Sequence, residues 1–177
     1  MGPLNLGDPF PQLHLRHDRG QDRLPRMARQ TRWGILFSHP ADYTPVCTSE
    51  LARAAQLHHV FQKKGVKLGM LDPVEKDKEG LPLTCRAVFI IGPDKKMKLS
   101  MLYPATTGRN FDEVLRATDS LLVTETRKVA TPAGWQKGTP CMVLPSVTEE
   151  EIPKLFPTGI KQYEVPSGKN YLRTTMD

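Results

Sequence analysis

The segment Ser38-His39-Pro40-Ala41-Asp42-Tyr43-Thr44-Pro45-Val46-Cys47-Thr48 lies where two hydrophobic periodicities meet. On its N-terminal side, Trp33-Gly34-Ile35-Leu36-Phe37-Ser38 is a short apolar run closed by the His39-Pro40 turn signal, which suits a buried central strand. On its C-terminal side, Cys47 to Lys64 contains neither Gly nor Pro and repeats Leu51, Ala54, Leu57 or His58, and Phe61 at helical spacing, ending at the helix stop Gly65. A strand, a proline-bounded loop and a helix with a cysteine in its first turn follow from this pattern.

That placement of Cys47 has a chemical reading. The thiolate is the useful nucleophile, and a free cysteine of pKa about 8.5 is ionised only to a few per cent at neutral pH. A helix N-terminus stabilises an anion by roughly 0.3–1 kcal/mol, whereas one pKa unit corresponds to about 1.4 kcal/mol. The helix alone therefore falls short, and a guanidinium near the sulfur is the natural supplement. Arg86 and Arg109 are the candidates. Thr44 offers a hydroxyl three residues before the cysteine, Pro40 and Pro45 restrict the loop, and His39 and Asp42 are candidates for orienting it by hydrogen bonding.

Further along, Val66-Lys67-Leu68 begins a strand that Gly69-Met70-Leu71-Asp72-Pro73 is expected to cut short. Ala87-Val88-Phe89-Ile90-Ile91 reads as a second buried strand, turned by Gly92-Pro93-Asp94 into an antiparallel partner at Lys98 to Tyr103. Asn110 caps a helix carrying Phe111, Val114, Leu115 and Thr118 on one face. Residues 124–177 are rich in Pro and Gly, with a short capped stretch at Thr148-Glu149-Glu150-Glu151, and read as a loop-rich extension.

Composition narrows the function classes. The chain has 177 residues, enough for one domain with an appendage, and no apolar run approaches the roughly 20 residues of a membrane span. No secretory leader is evident, so the expected location is cytoplasmic, without integral membrane association. Cys47, Cys85 and Cys141 are too few and too scattered for a disulfide framework or a zinc knuckle. Cys85 and Cys141 read as structural, and His58 and His59 diverge by about 100° on a helix, so no metal site is expected. The net charge is +6. Arg16, Arg19, Arg23, Arg26, Arg29 and Arg32 are spaced to line one face of a helix, but Gly20 and Pro25 interrupt it, and nucleic acid is not expected as a partner.

His-Pro-x-Asp-Tyr-Thr-Pro-Val-Cys-Thr at 39–48 closely resembles the active-site loop of the peroxiredoxins, specifically their one-cysteine peroxiredoxin-6 group. The similarity continues through Gly69 to Pro73, Tyr103 to Glu113 and the tail Pro166-Ser167-Gly168-Lys169. The resemblance implies an α/β, thioredoxin-like fold of peroxiredoxin type over 1–123, with a C-terminal one-cysteine peroxiredoxin extension over 124–177. It also implies reduction of hydrogen peroxide and of organic or lipid hydroperoxides through a Cys47 sulfenic acid, an antioxidant role. Thr44, Cys47, Arg86 and Arg109 match the family's site, without a resolving cysteine. No cofactor is implied. The expected reductant is an external thiol, glutathione, served by a glutathione transferase, and the expected assembly is a homodimer.

Two departures qualify these expectations. The family inserts a helix, a strand and another helix between the equivalents of Leu68 and Gly69, so the sheet is expected to be incomplete. The family also resembles a phospholipase A2 through a Gly-Asp-Ser-Trp-Gly segment with a histidine and an aspartate. Here the serine position is Arg32 and the histidine position is Arg26, leaving Asp94, and no phospholipase activity is expected. The alternative reading is a catalytically impaired, non-enzymatic remnant or interaction protein from a shortened isoform or retrocopy. On the plainest reading of two residues, Arg86 faces solvent and Arg109 pairs with Asp112 at the helix start.

Overall fold

A computed structural model of the chain describes residues 5–9, 14–17, 20–23, 33–38, 45–63, 67–71, 86–104 and 106–176. The chain divides into two compact units, Met1–Phe111 and Asp112–Asp177.

In the first unit the apolar run before the cysteine loop is strand β3 (Gly34–Ser38), following a separate hairpin of β1 (His14–His17) and β2 (Gly20–Arg23). Arg16 and Arg23 lie on these strands, in keeping with the interruption of a helix that the sequence showed at Gly20; Arg19, Arg26, Arg29 and Arg32 lie outside the described residues.

Strand β3 lies inside a four-stranded sheet of order β4-β3-β5-β6, with β4 at Lys67–Leu71, β5 at Arg86–Ile91 and β6 at Met97–Tyr103. Its parallel neighbour β4 is reached through helix α1 (Pro45–Lys63), and its antiparallel neighbour β5 is hairpin-linked to β6. Strand β3 is paired on both edges, and its Ile35, Leu36 and Phe37 are buried, while Ser38 at its end accepts from the Ala87 N–H through its hydroxyl at 3.0 Å. Ala54, Leu57 and Phe61 repeat along α1 and are buried too, as their helical spacing predicts.

Strand β4 is longer than its sequence suggested. It runs unbroken across Leu68 and Gly69, pairing Gly34 with Lys67, Leu36 with Gly69 and Ser38 with Leu71. Gly69, Met70 and Leu71 thus extend the strand that Lys67 and Leu68 begin, giving an ordinary length of five residues. A parallel ladder is made by main-chain groups, so an extended apolar tripeptide prolongs it whatever preceded it in the chain.

The second unit begins with helix α2 (Phe111–Thr126, of which Phe111 belongs to the first unit). Four short strands follow: β7 (Val129–Ala130), β8 (Cys141–Val143), β9 (Lys161–Gln162) and β10 (Arg173–Thr175), with a single-turn helix α3 (Ile152–Leu155) between β8 and β9. The sheet order is β7-β8-β10-β9, which places the C-terminal strand between two others. The loops between these strands cover a core of Val129, Trp135, Cys141, Val143, Val147 and Phe156. Strands of two or three residues are too short for alternation to show in the sequence, which is why only loops were legible there. Cys141 has no exposed surface, in keeping with a structural role.

Candidate active site

Cys47 is the third residue of α1, after Pro45 and Val46. Proline is suited to a helix start because the first turn's N–H groups have no intrahelical acceptor, and its fixed φ is already helical. The same unpaired N–H groups make this end of the helix favourable to a negative charge on the sulfur. The cysteine side chain is 1% exposed.

Strand β5 enters the sheet with Arg86, whose buried guanidinium Nη1 donates to Cys47 Sγ at 3.3 Å and to Glu50 Oε2 at 2.8 Å. Arg86 is therefore not a solvent-facing residue. Arg109, just before α2, is also buried, and its partner is Glu50 instead of Asp112. Its backbone N–H and Nε donate to Glu50 Oε1 at 2.6 and 3.1 Å, and its Nη2 donates to Oε2 at 2.9 Å. Its Nη1 donates to the Ala87 carbonyl at 2.8 Å, and the guanidinium carbon lies 5.3 Å from the Phe37 ring centre and 5.6 Å from that of Phe111. These ring faces offer favourable electrostatics to a cation held away from water.

Glu50 is the residue that the sequence reading missed. It sits one turn after Cys47 on α1 and joins both arginines in a buried Arg–Glu–Arg triad. Burial pushes its carboxyl pKa up, but the side-chain and backbone hydrogen bonds from Arg109 and the charges of Arg109 and Arg86 outweigh this and hold it below its ordinary value. A signal was available: an acidic residue at i+3 from the cysteine, on the same helix face, is the natural counter-charge for two arginines recruited to that cysteine. With Glu50 ionised, each guanidinium is fixed in direction, and Arg86 presents one nitrogen to the sulfur and the carboxylate together.

Of the residues singled out in the sequence, the structure brings together Cys47, Arg86 and Arg109. Thr44 and His39 lie outside the described residues, as do Asp42, Cys85, Arg26 and Arg32. Asp94, the remaining member of the phospholipase-like set, is engaged in the β5–β6 turn. It accepts from Lys98 Nζ at 2.8 Å and from the Lys96 N–H at 3.1 Å, across Gly92, where a Cβ would collide with both side chains. Its exposed carboxyl is held below the usual range, chiefly by the Lys98 hydrogen bond.

A buried thiol in a first helical turn, facing a guanidinium held by a carboxylate, suits attack on a small polarised bond whose leaving oxygen needs a hydrogen-bond donor. Comparison with known proteins identifies the chemistry. Residues 6–79 match the AhpC/TSA family, and residues 121–159 match the C-terminal domain of 1-Cys peroxiredoxin. Peroxiredoxin-6 of Rattus norvegicus is 46% identical over 220 residues, covering 98% of this chain and 98% of that protein.

The chain belongs to the peroxiredoxin-6 family. The solved peroxiredoxin 6 of Arenicola marina superposes with a TM-score of 0.89 at 44% identity, covering 98% of each chain. A yeast mitochondrial 1-Cys peroxiredoxin, studied for thiol resolution by glutathione and thioredoxin systems, superposes at 0.83 with 30% identity, covering 99% of this chain and 100% of that one. The fold is thus the thioredoxin-like α/β fold of peroxiredoxins, and the function is thiol-dependent reduction of peroxides. The family membership favours the enzyme over the non-enzymatic alternative. The stretch aligned to the rat peroxiredoxin-6 runs to 220 residues, against 177 in this chain. Among the described residues, no helix is long and apolar enough to cross a membrane.

Proposed function

We propose that Cys47 is the peroxidatic residue and that Arg86, Arg109, Thr44 and His39 complete its site. The observation that carries this reading is the 3.3 Å contact from Arg86 Nη1 to Cys47 Sγ, with Arg86 held in turn by Glu50. The Cys47 thiolate attacks one peroxide oxygen, the O–O bond breaks, and the departing oxygen takes a proton and leaves as water or an alcohol. Cys47 is left as a sulfenic acid. Arg86 and the Thr44 hydroxyl hold the peroxide, Arg109 supports Arg86 through Glu50, and His39 orients the loop. No prosthetic group takes part.

One molecule of a small external thiol, glutathione, then condenses with the sulfenic acid to a mixed disulfide with loss of water, and a second releases the Cys47 thiol as glutathione disulfide forms, with a glutathione transferase as partner. The expectation of glutathione is supported by the resolving systems studied for the yeast 1-Cys peroxiredoxin. The peroxiredoxin domain spans 1–123 and the one-cysteine extension 124–177, and the protein acts in the cytoplasm as a homodimer. An outer strand of the sheet, β6, carries Leu102 at 67% exposure and supports a dimeric state. The shortening relative to peroxiredoxin-6 falls between Leu68 and Gly69. Phospholipase A2 activity is absent, because an arginine at 32 supplies no nucleophilic hydroxyl and one at 26 no base.

Steady-state turnover of hydrogen peroxide with glutathione tests this function. Consumption that depends on the thiol and disappears in Cys47→Ser is expected; equal turnover by both proteins would exclude Cys47 as the nucleophile.

A further inference from the structure

The Arg109 guanidinium has a second set of neighbours besides Glu50, and both are rings. Its central carbon lies 5.3 Å from the ring centre of Phe37 and 5.6 Å from that of Phe111. The two ring centres are 5.4 Å apart, with their planes at 80°. Cation and rings thus form a nearly equilateral triangle, and the rings meet in the edge-to-face arrangement that aromatic pairs favour. Phe37 comes from β3 and Phe111 is the first residue of α2, so two separate elements converge on one charge. All three residues are buried.

A count of charges shows what the rings contribute. The Arg86–Glu50–Arg109 triad holds two guanidiniums and one carboxylate, so a net positive charge is buried there. Burying a cation is costly unless something answers it. Cys47 answers it as a thiolate and not as a thiol. The negative faces of the rings give Arg109 a partner that makes no demand on the carboxylate. Arg109 is thereby kept where its backbone N–H, Nε and Nη2 donate to Glu50 at 2.6, 3.1 and 2.9 Å. Were it to loosen, Glu50 would be left to Arg86 alone. The carboxylate would then neutralise more of the Arg86 charge, and less of that charge would act on Cys47 Sγ, to which Nη1 donates at 3.3 Å.

We infer that Phe37 and Phe111 are positioning residues of the peroxidase site, acting on Cys47 through the ring faces they present to Arg109. The inference rests on Cys47 as the peroxidatic residue. An aliphatic side chain would serve a hydrophobic core as well, but it has no negative face to set against a guanidinium.

Stepwise fluorination separates this role from packing, because fluorine withdraws charge from the ring face and changes the size of the ring little. The full chain would carry para-fluorophenylalanine or a ring-trifluorinated phenylalanine in place of Phe37 or Phe111. The reduced protein would then be oxidised by hydrogen peroxide in stopped flow across a pH series. The rate constant at neutral pH should fall in the order parent, singly fluorinated, trifluorinated, to about threefold below the parent, and the midpoint of the pH profile should rise in the same order. Phe37→Leu should lose more, about tenfold. Phe61→Leu removes a buried ring of α1 and should lower the melting temperature while leaving rate and pH midpoint unchanged. If Phe37→Leu lacks a cooperative melt, the fluorinated proteins carry the test alone. Fluorinated proteins that match the parent in rate and midpoint, while Cys47→Ser is inert, overturn the inference and leave the peroxidatic role of Cys47 standing. So does a Phe61→Leu protein that loses as much rate as Phe37→Leu. Peroxide consumption undiminished in Cys47→Ser overturns that role and the inference with it.

Discussion

Replacing Glu50 by Gln keeps the shape of the side chain and removes the charge that two buried arginines share. The amide oxygen can still accept from the Arg109 N–H and Nε, which lie 2.6 and 3.1 Å from Glu50 Oε1. The amide nitrogen then faces Arg109 Nη2 and Arg86 Nη1, which stand 2.9 and 2.8 Å from Oε2 in the parent. Two charge-assisted hydrogen bonds become donor–donor contacts. Such bonds contribute roughly 1.5–3 kcal/mol each, and breaking a buried ion pair from one side costs about 3–5 kcal/mol. The second figure already contains the first, so about 3–5 kcal/mol is the expected loss, a large part of a typical domain's stability. Rotating the amide returns an acceptor to Arg86 Nη1 and Arg109 Nη2 but sets its nitrogen against the Arg109 N–H and Nε, so two donor–donor contacts remain in either orientation. Urea unfolding followed by far-UV circular dichroism measures the loss. Stopped-flow oxidation of the reduced protein should in parallel slow by at least about tenfold, the equivalent of about 1.4 kcal/mol in barrier, because Arg86 loses the carboxylate charge that fixes its guanidinium beside the sulfur. A Glu50→Gln protein within about 0.5 kcal/mol of the parent would refute the idea that the carboxylate organises the two guanidiniums.

Three further outcomes follow from the same structure. Arg86→Lys exchanges a fork that meets Sγ and Glu50 together for a single ammonium, and should lower the rate constant with peroxide by about tenfold or more while the fold persists; stopped-flow kinetics with a thermal melt on the same sample checks both. The Glu50 carboxyl titrates lower folded than unfolded, so its contribution to stability is complete above its ordinary value of about 4.5 and is lost as pH falls through the depressed folded value. Urea midpoints measured on acidification should therefore fall more steeply for the parent than for Glu50→Gln, and parallel curves would contradict this. Phe156→Ala opens the core of the second unit and should cost about 3–5 kcal/mol there, seen as lost hydrogen-exchange protection at Val143 and Thr174; unchanged protection would show that this core does not hold β8 and β10 together.

Long apolar periodicities made the first unit readable before any coordinates. The runs at Ile35 to Phe37 and Val88 to Ile90 are buried central strands, and Leu57 and Phe61 mark the buried side of α1. The active-site loop was legible because a cysteine at a helix start suits a thiolate and because His39 to Thr48 resembles the peroxiredoxin loop; a cysteine alone is more often an inert buried residue. Glu50 escaped notice since a glutamate on an amphipathic helix usually faces water, and only tertiary closure brings Arg86 and Arg109 onto it, 36 and 59 residues away. Strand β4 escaped for a different reason. Gly69 reads as a breaker in isolation, yet it is tolerated in the strand because β3 supplies the ladder beside it. The sheet of the second unit was hidden by its brevity: Arg173 to Thr175 gives one period of alternation, and its place between β8 and β9 depends on residues far back in the chain.

The central claim is that Cys47 is the thiol that peroxide oxidises, and a single turnover tests it most directly. Reduced full-length protein would be mixed with one equivalent of hydrogen peroxide and quenched with dimedone, which labels sulfenic acids, and the labelled cysteine located by peptide mass spectrometry. The account predicts stoichiometric peroxide consumption far faster than that of a free thiol, with the label on Cys47 alone and none formed in Cys47→Ser. A cooperatively folded protein that reacts no faster than a free thiol, or that carries the label on Cys85 or Cys141, would contradict it.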